Sequence, residues 1–247
     1  RDLRMSRGLG DVYKRQEVRT PNDLLGLSYV KEIISHHYPI TPHCFKRTND
    51  YHDTHLQQIA SATSIRQAIA KHQDYQEALP HPELYQNECY FLKDYFPYLK
   101  YRLLTTTKEE LKHIHLVDEG LENTMLHAIT YSHSMEEFIN HLLSKRYTLP
   151  RIQRMIIHVL MNNQKDEIKQ AMNIDYLRIL AMNDQGRHYL SSIKKTCSYQ
   201  IVTNLSKFSH PALDIEIKAT KLLSLLSKDS EKIIKKEYAH IPYIKAN

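Results

Sequence analysis

The sequence predicts the last units of a parallel α/β domain followed by a mainly α-helical domain. Three observations carry this. Glycine is scarce, with 5 in 247 residues, whereas antiparallel β-proteins draw on many turn glycines. The stretch from Thr20 to Ala70 reads as helix, short apolar run, polar loop, helix, which is the order of closing α/β units. Beyond about His72, apolar residues recur at helical spacing and helix-start signals multiply.

Thr20-Pro21-Asn22-Asp23 is a helix start. Thr20 can cap, Pro21 suits the first helical position, and Asp23 suits the positive end of the helix. Leu24, Leu27, Val30 and Ile34 follow at helical spacing, and the helix should stop near His37, before Pro39. Ile40 to Phe45, with Pro42 inside it, predicts a short buried strand. Lys46 to Gln57 is polar loop, and a second helix enters at Ile59 and runs to Ala70. Residues 76–89 hold Pro80 and Pro82 and read as a linker. Thereafter Tyr90 to Leu104 is aromatic and apolar. Thr107 to Glu110 and Ser134 to Glu137 are capping boxes, and Thr148 precedes a helix through Ile152, Met155, Ile156, Val159 and Leu160. Asp175 to Ala181, Lys218 to Leu226 and Ser230 to Tyr238 complete the expected helical array. The clustered Tyr90, Tyr95, Tyr98 and Tyr101 could stack on bases, but tyrosines at this spacing are read as core with a wet hydroxyl edge.

Residues 1–16 are rich in charge and show no period, and the run Gly10 to Gln16 resembles read-through of a sequencing adapter. They are read as a non-native or disordered leader, the alternative being a basic arm for RNA. The expected organisation is therefore a leader over 1–16, the end of the α/β domain over 17–75, the linker over 76–89 and the helical domain over 90–247.

Composition narrows the function. Hydrophobic residues at 41% and charged residues at 25% are those of a globular protein with a packed core. The formal charge of +6 and pI of about 9.0 suit a polyanionic partner without proving one. Cys44, Cys89 and Cys197 are far apart and odd in number, so no disulfide framework or zinc site is expected, and no metal site is assigned. His52 and His55 have only Asp50 and Asp53 near them and are read as loop residues. No apolar run approaches the roughly 18 residues that a membrane span needs, and no signal peptide is visible, so a cytoplasmic protein is expected.

The sharpest chemical feature is Ile59-Ala-Ser-Ala-Thr-Ser-Ile-Arg66. Three hydroxyls, Ser61, Thr63 and Ser64, sit where a helix begins. That end offers unpaired N–H groups and the positive pole of the macrodipole. Small side chains let an anion approach, and Arg66, one turn in, can clamp a phosphate in two places. A plain helix cap with a surface arginine fits the same residues.

Upstream stands Pro21-Asn-Asp-Leu-Leu-Gly-Leu-Ser-Tyr29, and between the two lie Lys46-Arg47 and Tyr51-His52-Asp53. Together these resemble the nucleotidyltransferase superfamily and, more closely, the bacterial tRNA(Met) cytidine acetate ligase family. Glu119 to Asn123, Lys145 to Thr148 with Arg151 to Arg154, and Gly186-Arg187 extend the resemblance over residues 20 to 225. It implies a Rossmann-like nucleotidyltransferase fold. It also implies an enzyme that makes acetyl-adenylate from acetate and ATP and acetylates N4 of the wobble cytidine of elongator tRNA(Met). Asn22 would contact ATP, Arg47 and Thr48 would lie against the nucleotide, and Ser61, Thr63, Ser64 and Arg66 would face the phosphates. Arg66 would be the catalytic charge and magnesium would accompany ATP. Such chemistry needs charge stabilisation rather than a protein nucleophile.

The sequence departs from the family in one respect: it shows no His-x-Gly-His turn after a strand. The chain is therefore expected to carry half a nucleotide site and to be inactive alone. For tRNA, Lys145, Arg146, Arg151 and Arg154 are the candidates, Arg151 and Arg154 sharing a helix face. A solvated basic face is the alternative. Two other functions remain open. One is an adenylyltransferase for a small substrate, disfavoured by the large basic helical region. The other is a non-catalytic helical RNA-binding module.

Overall fold

The computed structural model describes residues 21–45, 60–79, 81–82, 89–239 and 241–245. The chain divides into two compact units, Arg1–Tyr85 and Gln86–Asn247.

In the first unit α1 spans Pro21–Ser35. It unwinds through His37, which takes φ 52°, as Tyr38 N–H reaches back to the Ile33 carbonyl at 3.1 Å. Thr20, the expected cap, lies outside the described residues. Ile40 to Phe45 is not a strand, and it is not buried: Ile40 is 58% and Phe45 93% exposed. A strand needs a neighbour for its N–H and C=O groups, Pro42 has no N–H to give, and no strand of this unit is present among the described residues. The second helix, α2, spans Ala62–Ala70, and a 3-10 turn follows at Gln76–Ala78.

The second unit is helical where the sequence is periodic. A 3-10 turn at Leu92–Tyr95 leads into α3, Phe96–Thr105, which buries Leu99 and Leu103. The capping box at Thr107 forms: Thr107 Oγ1 accepts Glu110 N–H at 3.2 Å and Glu110 Oε2 accepts Thr107 N–H at 2.8 Å. It opens α4, Lys108–His113. Gly120, at φ 88°, starts α5, Leu121–Tyr131. Ser134 caps α6, Met135–Leu142, by accepting Glu137 N–H, but the Glu137 carboxylate accepts from His133 N–H instead of closing a box. Helix α7, Leu149–Met161, carries Pro150 in its first turn and ends on Asn162 in the left-handed region. Its buried residues Ile152, Met155, Ile156 and Val159 form one stripe. They close with the stripes of α3 to α6 into a core whose centre includes Phe138, Met125 and Ile129, each fully buried. Each such side chain contributes roughly 1.5–3 kcal/mol on burial. Tyr95 belongs to this core. Tyr98 only rests its hydroxyl on the Leu225 carbonyl at 3.2 Å, and Tyr101 is 71% exposed, so the core reading fits one tyrosine of the cluster.

After α8, Lys165–Ala171, the chain departs from the expected helix at Asp175 to Ala181. Instead β1, Tyr176–Arg178, pairs in parallel with β3, Gln200–Val202, and β2, Ala181–Asn183, pairs in parallel with β4, Tyr243–Lys245. Pairing with residues far along the chain overrides the local spacing. Between β2 and β3 lies α9, Asp184–Ile193, whose cap Asn183 accepts Gly186 N–H at 2.9 Å. Helix α10, Pro211–Ser224, begins earlier than its apolar run suggests, because the His210 imidazole accepts Ala212 N–H and Pro211 pre-sets the first turn. Helix α11 occupies Ser230–Tyr238. Tyr176, Val202, Leu205 and Leu213 form a second, smaller core. No helix among the described residues is long and apolar enough to cross a membrane.

Candidate functional site

The opening of α2 is built by its serines. Ser61, at φ −76° and ψ 152°, caps the helix: its Oγ accepts Ser64 N–H at 3.0 Å. Ser64 Oγ donates to the Ser61 carbonyl at 2.8 Å, the two hydroxyls lie 3.2 Å apart, and both residues are buried. These two hydroxyls therefore shape the turn and point inward. What the turn presents outward is Thr63 and Arg66, both exposed, with the N–H groups of Ala62 and Thr63 at the positive pole. Among the described residues no carboxylate pairs with Arg66. The phosphate reading thus narrows from three hydroxyls and a guanidinium to one hydroxyl, two backbone donors and Arg66. A triphosphate suits such an opening, because charge-assisted bonds to N–H and guanidinium groups need no metal ligand from the protein. Asn22 stands exposed in the first turn of α1. Arg47, Thr48, His52 and His55 lie outside the described residues. No cluster of three or more His, Cys, Asp or Glu that could hold a metal ion exists among those described.

The four basic candidates in the second unit occupy the turn before α7 and its first two turns. Lys145, Arg146 and Arg154 are exposed, and Arg151 is half-buried. They are not equivalent. Arg146 pairs with the Glu119 carboxylate. Arg151 lies over the Tyr147 ring, its guanidinium carbon 4.9 Å from the ring centre, while that of Arg146 is at 5.9 Å. Tyr147 in turn donates its hydroxyl to Glu119 Oε2 at 3.2 Å. Burial first, and then this bond to Glu119, push the tyrosine pKa above its ordinary value, so the hydroxyl remains a donor across the working pH range.

One turn beyond Arg154 on the same face is His158. Its ring meets His115 edge-on at 4.7 Å, and Nδ1 lies 3.1 Å from Asn163 Nδ2. Desolvation, then the His115 ring, then the Arg154 charge lower its pKa from 6.5 to about 4, so it stands neutral at pH 7. The face thus changes from charged to uncharged along α7.

The model of the HIGH Nucleotidyl Transferase family matches residues 4–237. The chain belongs to this family. Among curated relatives it is 37% identical to the tRNA(Met) cytidine acetate ligase of Bacillus subtilis, with 92% of this chain and 59% of that protein covered. It is 35% identical to the ligase of that name from a Geobacillus species, with 92% and 61% covered. The chain therefore spans about three fifths of the length of the curated relatives it matches. Among solved structures it superposes on the apo form of Thermotoga maritima TmcAL with TM-score 0.77 at 24% identity, covering 92% of this chain and 60% of that one. The form of that protein bound with alpha-thio ATP gives TM-score 0.76 at 23% identity over the same shares. The fold is therefore nucleotidyltransferase-like and similar to that of TmcAL.

The structure joins two stretches that the sequence offered only as separate motifs. Glu119, from the segment 119–123, reaches Arg146 and Tyr147 from the segment 145–148. Glu119 sits at φ 57°, a conformation that a residue with a Cβ rarely adopts. Sequence reasoning chose the cations and passed over both Glu119 and Tyr147. The available signal was that both lie in segments carrying the family resemblance, Glu119 to Asn123 and Lys145 to Thr148, which gave neither residue a role.

Proposed function

We propose that the chain is part of an ATP-dependent tRNA(Met) cytidine acetate ligase. The enzyme forms acetyl-adenylate from acetate and ATP and passes the acetyl group to N4 of the wobble cytidine of elongator tRNA(Met). In this reading residues 17–75 are the closing units of the α/β nucleotide-binding domain, and residues 90–247 are the tRNA-binding helical domain. The enzyme works in the cytoplasm with magnesium accompanying ATP. The observation that carries the reading is the α2 opening. There Ser61 and Ser64 consume their hydroxyls in building the turn, while Thr63, two backbone N–H groups and Arg66, which has no carboxylate partner among the described residues, face outward. Asn22, Arg47 and Thr48 complete the nucleotide side, and Ser61 and Ser64 act through the shape of the turn. The alpha-thio ATP bound to T. maritima TmcAL supports ATP as the ligand, and the name of the relatives supports tRNA(Met) and acetate as substrates.

In the reaction, acetate displaces pyrophosphate at the α-phosphorus of ATP. The Arg66 guanidinium and the α2 N-terminus hold the charge that accumulates on the phosphate oxygens. Lys145, Arg146, Arg151 and Arg154 hold the tRNA backbone.

Titration of this chain with ATP tests the site. Arg66→Ala should weaken binding about tenfold, the worth of a charge-assisted bond, and unchanged affinity rejects Arg66 as a phosphate ligand. The reaction itself is tested with the chain joined to the part of the Bacillus subtilis relative that it does not match. ATP-dependent incorporation of labelled acetate into tRNA(Met) is expected, and folded, ATP-binding protein with no incorporation rejects the ligase reading.

A further inference from the structure

Two guanidiniums flank one tyrosine at the head of α7, and the structure spends them differently. Arg146 is neutralised by Glu119. Among the described residues no carboxylate pairs with Arg151, and its guanidinium carbon lies over the Tyr147 ring, 4.9 Å from the ring centre. A guanidinium covered on one face keeps its N–H edges open, and those edges match the oxygens of a phosphodiester. Stacking also removes much of the rotamer freedom that an arginine otherwise loses on binding. Tyr147 is in turn fixed at both ends. Its ring packs against the main core of the unit, and its hydroxyl donates to Glu119. Glu119 stands on a loop held by Lys165, which reaches the Asp118 carboxylate at 2.7 Å and the Val117 carbonyl at 3.0 Å. A left-handed Glu119 followed by a left-handed Gly120 is backbone strain kept at one place, and its result is a carboxylate aimed at Arg146 and Tyr147.

We propose that Tyr147 is a positioning residue for RNA, presenting the Arg151 guanidinium edge-on to a backbone phosphate, with Glu119 locking the ring. The proposal rests on the RNA reading of the α7 face and adds to it a distinction. Arg151 is a preformed clamp, Arg154 is a long-range charge, and Arg146 is largely a structural partner of Glu119.

The test is binding of tRNA to this chain by fluorescence anisotropy across a salt series. Tyr147→Leu changes no charge, yet it should weaken binding about threefold to fivefold. It should also flatten the slope of log affinity against log salt by about one unit, as Arg151→Gln does. Tyr147→Phe keeps the ring and should stay near the parent. The double variant Tyr147→Leu, Arg151→Gln should bind no more weakly than Arg151→Gln alone. Arg151→Lys keeps the charge and disturbs the fold least, so it serves if Tyr147→Leu proves unstable. It should lose most of what Arg151→Gln loses, and full retention overturns the clamp. Additive losses in the double variant also overturn it, because Tyr147 would then touch RNA on its own account. If Arg154→Gln weakens binding while Tyr147→Leu does not, the basic face stands and the clamp falls. If neither Arg154→Gln nor any Arg151 variant alters salt-dependent binding, the RNA reading fails and takes the clamp with it.

Discussion

The two units handle their apolar residues in opposite ways. In the second, helical stripes close on one another and leave Leu99, Leu103, Phe138 and Ile156 with no exposed surface. In the first, Leu24, Leu25, Leu27 and Ile34 of α1 are 48–65% exposed, and Phe45 is 93% exposed. A helix owes its stability to packing an apolar face more than to its own propensity. The helical unit therefore holds its own structure, whereas α1 presents an exposed apolar surface. Phe138→Ala should cost about 3–5 kcal/mol in urea unfolding of this chain, the usual range for emptying a core aromatic site. Leu27→Ala should stay within about 0.5 kcal/mol, as at other exposed positions. A loss at Leu27 as large as at Phe138 would erase the contrast, because it would mean that the α1 face is already packed.

The contrast sharpens with pH, because the helical unit contains a histidine that resists protonation. His158 is held neutral down to about pH 4 by burial, then by the His115 ring, then by Arg154. The ordinary value of 6.5 applies in the unfolded chain. Above that pH both states are neutral and His158 contributes no pH dependence. As pH falls from 6.5 toward 4, the unfolded chain takes up a proton that the fold refuses, so stability drops. Solvent reaches part of the ring, which reduces the effect to about 1–2 kcal/mol. His158→Gln should remove that part of the acid loss when urea midpoints at pH 7 and pH 4.5 are compared, and Leu27→Ala should leave it intact. An unchanged pH dependence in His158→Gln would show that the ring titrates normally in the fold.

How much of this was legible beforehand depends on the range of the interaction. The stripe 152, 155, 156, 159 and the box at Thr107 lie within one or two turns of chain, and both stand where the sequence places them. The strands β1 to β4 are three residues each and exist only through partners more than twenty residues away, as with Tyr176 opposite Gln200. No periodicity can develop in so few residues, and helical spacing filled the gap wrongly. The α2 opening was legible as a helix start with phosphate-compatible residues. It was not legible that Ser61 and Ser64 would turn inward, because capping and ligand binding call on the same hydroxyls. The Glu119–Tyr147–Arg151 arrangement was not legible, since it depends on a left-handed residue and on a contact between two segments.

Two helix caps give the smallest and finest test of the difference between the units. Thr107 and Ser61 do the same local work, each accepting the third backbone N–H of its helix at 3.2 Å and 3.0 Å. Replacing either by alanine removes one satisfied donor, worth about 1 kcal/mol. The consequence should differ by context. Helix α4 is tied into the closed core through buried Leu111, so Thr107→Ala should lower the global urea midpoint. Among the described residues of the first unit the cap has no comparable core to report to, so Ser61→Ala should leave that midpoint unchanged. It should instead speed hydrogen exchange at the Ser64 and Ile65 amides, which rest on the Ser61 hydroxyl and carbonyl. Should Ser61→Ala lower the global midpoint as much as Thr107→Ala, the two units unfold together and the exposed face of α1 does not mark a separate, less stable half.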